Sequence, residues 1–188
     1  SPFGLETDYP RDWVGRYHAV YSEVVNLDIN PAVAYRVTPM LSVGAGLDLV
    51  YASAELTNAV DFGSLLSAQL GGPIPALGIT PGNLALDGYS TLEGDDWALG
   101  WNLGVLFEAQ PQTRLGVSYR SKVDLDLEGE SRVEVPAVVT TLTGGLLASE
   151  IQSTRARLTL PATLWLGLHH DLGPQWSLMA GAQWTDWS

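Results

Sequence analysis

Along most of this chain apolar and polar side chains take turns, and that period of two constrains the fold more than any other feature. Over residues 23–37 one parity reads Val25, Leu27, Ile29, Val33, Tyr35 and Val37, and the other carries Asn26, Asp28, Asn30, Ala32, Ala34 and Arg36. The alternation returns over 41–49. It sharpens over 97–107, where Trp97, Leu99, Trp101, Leu103, Val105 and Phe107 stand against Ala98, Gly100, Asn102, Gly104 and Leu106. Residues 115–127 repeat it, with Leu115, Val117, Tyr119, Val123, Leu125 and Leu127 on the greasy parity, and 158–168 and 176–184 complete the set. Successive side chains of an extended chain point to opposite faces, so each segment is a strand with one apolar and one polar face. Six such strands, with a strand end at residues 1–8, predict an all-β chain.

The predicted strands run to about ten residues or more, whereas strands of soluble proteins are typically ~5–6 and ~9–11 residues cross a bilayer at a tilt. The links alternate too. Tight ones at Thr38-Pro39-Met40, Gln110-Pro111-Gln112 and Asp171-Leu172-Gly173-Pro174-Gln175 are interleaved with long connections over 57–96 and 129–156. This is the pattern of an antiparallel up-and-down transmembrane β-barrel with short periplasmic turns and long extracellular loops.

Glycine decides which face meets what. Gly44, Gly46, Gly100, Gly104 and Gly116 all share the polar parity, so volume crowds the apolar side. A packed soluble core needs volume inside, whereas lipid takes it outside. Tyr35, Tyr51, Trp97, Tyr119, Trp176 and Trp184 fall near strand ends, where an interfacial aromatic girdle lies. The fold is therefore expected in the bacterial outer membrane. No apolar run reaches the ~20 residues of a spanning helix. The balance of 9 basic against 21 acidic residues, −12 overall, repels polyanions and excludes nucleic acid as a partner. With no cysteine, disulfide scaffolds and thiol chemistry fall away. Single-chain barrels begin at about 8 strands, so this chain is expected to be an interior part of a larger barrel.

With the strands placed, several segments resemble the FadL family of outer-membrane long-chain fatty acid transporters, which includes the TodX-type hydrocarbon channels. They are Ser1-Pro2-Phe3-Gly4-Leu5-Glu6-Thr7, Asp12-Trp13-Val14-Gly15-Arg16-Tyr17, Leu27-Asp28-Ile29-Asn30-Pro31-Ala32-Val33-Ala34-Tyr35, Gly46-Leu47-Asp48, Trp97-Ala98-Leu99-Gly100-Trp101-Asn102-Leu103-Gly104, Tyr119-Arg120-Ser121 and Pro174-Gln175-Trp176. The resemblance implies a fourteen-stranded barrel plugged by an N-terminal hatch, of which this chain supplies the end of the third strand through the ninth. It also implies a monomeric barrel in contact with membrane lipid and lipopolysaccharide, taking up a hydrophobic small molecule, fatty acid or hydrocarbon, without a cofactor.

Three sets of residues are candidates for that function. Ser1, Pro2 and Gly4, beside Phe3, place a ladder-breaking proline and a glycine within a strand. The resemblance makes them a kink for lateral release, and the plain alternative is a strand end entering a loop. Leu56, Val60, Phe62, Leu65, Leu66 and Leu70, spaced three and four apart, suit a short amphipathic helix in the first long connection. With Val135, Val138, Val139, Leu142 and Leu146 of the second, they form either a groove for hydrophobic ligand, to which Phe3 is also assigned, or a cap whose loops pack on each other. Arg36, Arg120 and Lys122 are expected to face the lumen, where they meet a carboxylate head group or pair with neighbouring acids. Fatty-acid-binding members of the family can carry a basic residue near the start of the first long loop, where this chain reads Ala54-Glu55-Leu56-Thr57-Asn58. His18, His169 and His170 form no metal set, since adjacent strand residues face apart. The alternatives from other classes are a lipase-like outer-membrane enzyme and a soluble lipocalin-like binder.

Overall fold

The computed structural model describes residues 3–187; Ser1, Pro2, Ser188 and the side chain of Phe3 lie outside the described residues. Ten strands form one antiparallel sheet: β1 (Phe3–Asp8), β2 (Tyr21–Ile29), β3 (Ala32–Thr38), β4 (Leu41–Asp61), β5 (Asp87–Gln110), β6 (Thr113–Arg120), β7 (Val123–Glu134), β8 (Glu150–Leu160), β9 (Thr163–Gly173) and β10 (Trp176–Thr185). Three of the six alternating segments are interrupted, at Asn30-Pro31, Ser121-Lys122 and Pro161-Ala162, which is why six become more. Proline has no N–H for the ladder, and two of the three breaks contain one. Each pair β2–β3, β6–β7 and β8–β9 is thus a single wall strand with a joint. The predicted tight links fall where expected, between β3 and β4, β5 and β6, and β9 and β10.

The wall reaches further than alternation foretold. β4 has 21 residues and β5 has 24, so the first long connection shrinks to 62–86, and the second to 135–149. Beyond the bilayer both faces of a strand meet water, and the hydrophobic pattern that flags a strand disappears; residues 87–96 read Asp-Gly-Tyr-Ser-Thr-Leu-Glu-Gly-Asp-Asp and still pair fully with β4.

On the lower wall the two parities part as predicted. Leu99 is 74% exposed on the convex side, whereas Asp48, Val50 and Ala52 on the opposite parity are 0%, 3% and 1%. The convex apolar run Trp97 to Phe107 extends roughly 33 Å at ~3.3 Å per residue, which at barrel tilt gives a band about 25 Å tall. At its upper edge Tyr51 and Trp97, directly opposite each other, bring their ring centres to 4.9 Å.

Above the joint of β6 and β7 the expected orientation is overturned. Val123, Leu125 and Leu127, assigned by alternation to the same outward face as Leu115 and Val117, are buried on the concave side, and Asp124, Asp126 and Glu128 are exposed. The register explains the reversal. β5 pairs Asn102 with Arg120 below the joint and Asp95 with Glu128 above it. Between those pairs β5 spends residues 96–101 and its partner spends 121–127, one more. That extra residue is a bulge, and a one-residue slip turns every later side chain to the other face. The β8–β9 strand turns with it, because Arg120↔Thr163 and Val123↔Leu160 remain in step across the joint. The inward-turned residues pack on Val50 and Ala52 with Ala98, Leu158 and Leu160. Gly100 makes the approach possible: a Cβ there would stand 2.7 Å from Val123 Cγ2.

Candidate functional site

The concave face carries three tiers. Uppermost is a cap made by the two long connections. α1 (Phe62–Gln69) buries Phe62 and Leu66, and α2 (Ala137–Leu142) buries Val139, in one cluster with Ile79 and Leu86. Of the apolar candidates, then, Phe62, Leu66 and Val139 hold the cap together. Val60 and Val135 are half-buried at the cluster's edge. Leu65, Leu70, Val138, Leu142 and Leu146 are exposed, Leu146 to 88%. The predicted helix is shorter than its spacing implied, since Leu56 and Val60 belong to β4; Leu56 shares the parity of Val50 and Ala52 and is exposed.

The cap is locked to the wall by a network that alternation does not reveal. The guanidinium of Arg16 donates from Nε to Asp87 (2.6 Å) and from Nη2 to the Tyr17 hydroxyl (2.7 Å) and the Gly82 carbonyl (3.1 Å). The Tyr17 hydroxyl donates in turn to Asp87 (2.9 Å). Burial and then that bond push the Tyr17 phenol up to about 12. Asp61, directly opposite Asp87, caps α1 by accepting from Ser64 N–H (2.8 Å) and Oγ (2.6 Å), and it also accepts from Gly82 N–H (3.0 Å). Burial raises the Asp61 carboxyl, but these donors outweigh it and leave the group below its ordinary value. Two aspartates at the roots of β4 and β5 thus clamp both ends of the 62–86 connection.

Below the inward-packed cluster lies a cavity of about 640 Å³ lined by polar and apolar groups together. Arg120 Nη1 is 2.8 Å from Asp28, and its Nη2 is 3.1 Å from Asp48. Asp48 also accepts from Asn30 (2.7 Å) and Asn102 (3.1 Å). Gly46 leaves room for both amides; a Cβ there would stand 2.8 Å from Asn102 Oδ1. Two of the expected lumen charges therefore face inward: Arg120 here, and Arg36 at the turn end, paired in register with Ser42. Lys122 does not. It is exposed on the outward side of the joint, 3.0 Å from Asp124, because the bulge reverses its parity.

The third tier is a groove of about 600 Å³ along the lower wall. Its floor is small, with Ala34, Gly44, Gly104, Gly116, Gly167 and Gly181 in successive strands, and Leu106 and Trp165 form its sides. Ser118 and Trp165 line both the groove and the cavity above, so the two adjoin. Trp165 faces inward because Ser118 is its register partner. Ser1 and Pro2 lie outside the described residues. Gly4 sits in a regular ladder opposite Val25, and a Cβ there would meet only the Val24 carbonyl, at 3.8 Å. Among the described residues no group of His, Cys, Asp and Glu is arranged to hold a metal ion.

A family profile described as outer membrane protein transport protein (OMPP1/FadL/TodX) matches residues 1–188. The long-chain fatty acid transport protein of Salmonella typhi is 30% identical over 197 residues, which take in all of this chain and 43% of that relative. Outer membrane protein P1 of Haemophilus influenzae is 26% identical, over 99% of this chain and 41% of its own length. The chain thus spans less than half of the curated relatives it matches. Among solved structures, a Pseudomonas aeruginosa FadL homologue superposes with a TM-score of 0.78 at 24% identity, covering 99% of this chain and 44% of that one. CymD, a monoaromatic hydrocarbon channel, does so at 0.62 and 26% identity, covering all of this chain and 49% of that one. The curled sheet is accordingly part of an outer-membrane β-barrel.

Proposed function

Because the chain belongs to the FadL/TodX family of outer membrane transport proteins, we propose that the complete protein is a passive channel for hydrophobic compounds, fatty acids or related hydrocarbons. Its place is the outer membrane, and its family consists of transport channels rather than enzymes. The observation that carries the proposal is on the concave side, where a cavity below the inward-packed cluster and a glycine-floored groove adjoin, with Ser118 and Trp165 lining both. A ligand held only by apolar contact needs such a smooth path and no reacting group.

On this proposal the exposed side chains Leu65, Leu70, Val138, Leu142 and Leu146 collect ligand from water, since a large apolar patch on loops marks a binding surface. The concentration gradient then drives it inward, and no cofactor takes part. The chain supplies the third through ninth strands of a monomeric fourteen-stranded barrel, with membrane lipid against its apolar band and lipopolysaccharide against the charged rows above. Release is lateral, at the start of β1, where the sequence puts a proline and a glycine, Pro2 and Gly4, beside Ser1. The backbone at Gly4 accepts a side chain, because a Cβ there would meet only the Val24 carbonyl, at 3.8 Å. In cells producing the full-length protein, the double substitution Leu142→Asp with Leu146→Asp is expected to lower uptake of labelled toluene and palmitate several-fold, and Gly4→Phe to lower release with normal barrel assembly. Undiminished uptake by well-expressed, folded variants would remove the capture surface and the lateral exit respectively.

A further inference from the structure

The last rung of the β4–β5 ladder sets two aspartates directly opposite each other, Asp61 and Asp87. Like charges so placed repel, and each carboxylate is met by donors of its own. Those of Asp61 belong to the connection it roots, at Ser64 and Gly82. Those of Asp87 come from the link between β1 and β2, which carries Asp12-Trp13-Val14-Gly15-Arg16-Tyr17. The link is itself tied down. Ala59 N–H donates to the Arg16 carbonyl (2.8 Å), Val20 N–H donates to the Thr57 carbonyl (2.7 Å), and the Arg11 guanidinium lies 4.3 Å from the centre of the Tyr89 ring. Arg16 and Asp87 are both buried.

The planar fork of a guanidinium reaches several acceptors at once, which a point charge does not. Arg16 uses it to bond Asp87 at the root, Tyr17 beside it and the Gly82 carbonyl on the returning limb of the connection. Asp61 accepts from Gly82 N–H, so this residue, at φ +73°, is gripped on both sides of its Cα. Two residues earlier the same limb abuts α1, where a Cβ on Gly63 would collide with the Thr80 carbonyl. The grip on Gly82 thus reaches the first turn of α1 by two routes: Asp61, which caps it, and Thr80, which lies against it. The roll of α1 about its axis decides which side chains are presented. Phe62 and Leu66 join the cluster with Ile79 and Leu86, and Leu65 and Leu70 are left exposed. Arg16 acts on those two leucines through the backbone it holds.

We propose that Arg16 is a positioning residue for ligand capture: through Asp87, Tyr17 and Gly82 it fixes the attitude of α1 on the wall and keeps Leu65 and Leu70 presented. The inference rests on the capture surface proposed above and names what orients it. Its test follows initial uptake of labelled toluene and palmitate against concentration, in cells of a Gram-negative host that lacks its own channels of this family and produces the full-length protein. Heat-modifiable mobility on gels gives the amount of folded barrel, to which each rate is scaled. Arg16→Ala is expected to raise the half-saturating concentration about fivefold or more and to leave the maximal rate within about twofold of wild type, because capture weakens and the passage is untouched. Arg16→Lys, which reaches Asp87 without the fork to Tyr17 and Gly82, is expected to recover part of the loss. Asp87→Asn keeps the shape of its side chain and serves as the second variant, with a shift in the same direction. A half-saturating concentration unchanged in the folded variants, or a fall in maximal rate alone, overturns the positioning role. Leu65→Asp with Leu70→Asp separates that result from failure of the capture surface: wild-type uptake by this double variant removes the surface and the role of Arg16 with it. Entry of neither probe into the wild type overturns the transport function and everything that rests on it.

Discussion

The outward face of β5 between Trp97 and Phe107 and the β7–β8 hairpin carry the same alternation of apolar and polar side chains and use it in opposite senses. In β5 the bulky parity is exposed on the convex wall; in β7 the bulky parity is buried on the concave side and the acids are exposed. The comparison teaches that period two fixes only that a strand has two unlike faces. Which face meets oil depends on the phase, and one extra residue between Arg120 and Glu128 resets it.

The same substitution on either side of the bulge separates the two senses most sharply. Leu125→Arg places a charge where no surface is exposed, and it is expected to cost about 4 kcal/mol or more. Leu103→Arg, on the membrane face, is expected to cost about 2–4 kcal/mol if it lies near the bilayer midplane. Denaturant titration of the full-length barrel in lipid vesicles measures both, and a Leu125→Arg barrel as stable as wild type would mean that β7 does not turn inward. Next in size comes the glycine pair on the concave face. Gly100→Val drives new volume into Val123 and is expected to cost about 1–3 kcal/mol. Gly104→Ala, whose Cβ would meet only the Val117 carbonyl at 3.9 Å, is expected to be near neutral. Equal effects in the same titration would erase the distinction between the packed and the open halves of the inner wall.

The smallest effect lies in the cap, above both regions. The Tyr17 phenol titrates near 12 in the folded cap against an ordinary 10.0, so the fold holds its proton more tightly than the free chain does. That contribution is whole below pH about 10 and is lost as the pH rises through about 12. Protease cleavage within 62–86 is expected to quicken across that window, and Tyr17→Phe, which has no proton to lose, is expected to flatten the step. A step of the same size in the variant would assign the loosening to other groups.

Strand number, turn positions and the orientation of the lower wall were legible in the sequence because bilayer and lumen impose opposite demands on neighbouring side chains there. The joint at Ser121-Lys122 was not, because Val123, Leu125 and Leu127 continue in step with Leu115 and Val117 and nothing local marks the slip. The cap residues were legible by type but not by fate. Leu65 and Leu66 look alike in sequence, and only the packing of α1 against the second connection decides that one is exposed and the other buried. The Arg16 network joins residues 71 apart and leaves no periodic trace. Asp48 was visible as a polar-face residue, yet its contacts with Arg120, Asn30 and Asn102 depend on β6, the β2–β3 joint and β5 arriving at one height.

The unbroken pairing of β4 with β5, from Leu41↔Phe107 to Asp61↔Asp87, makes a stiff two-stranded mast. At ~3.3 Å per residue its 21 residues measure about 70 Å, or about 50 Å upright at barrel tilt, roughly twice the height of the oily girdle. The helices it carries are thereby hoisted on the order of 20 Å clear of the hydrocarbon. The exposed Leu65 and Leu70 of the connection it bears are therefore presented far outside the oily band.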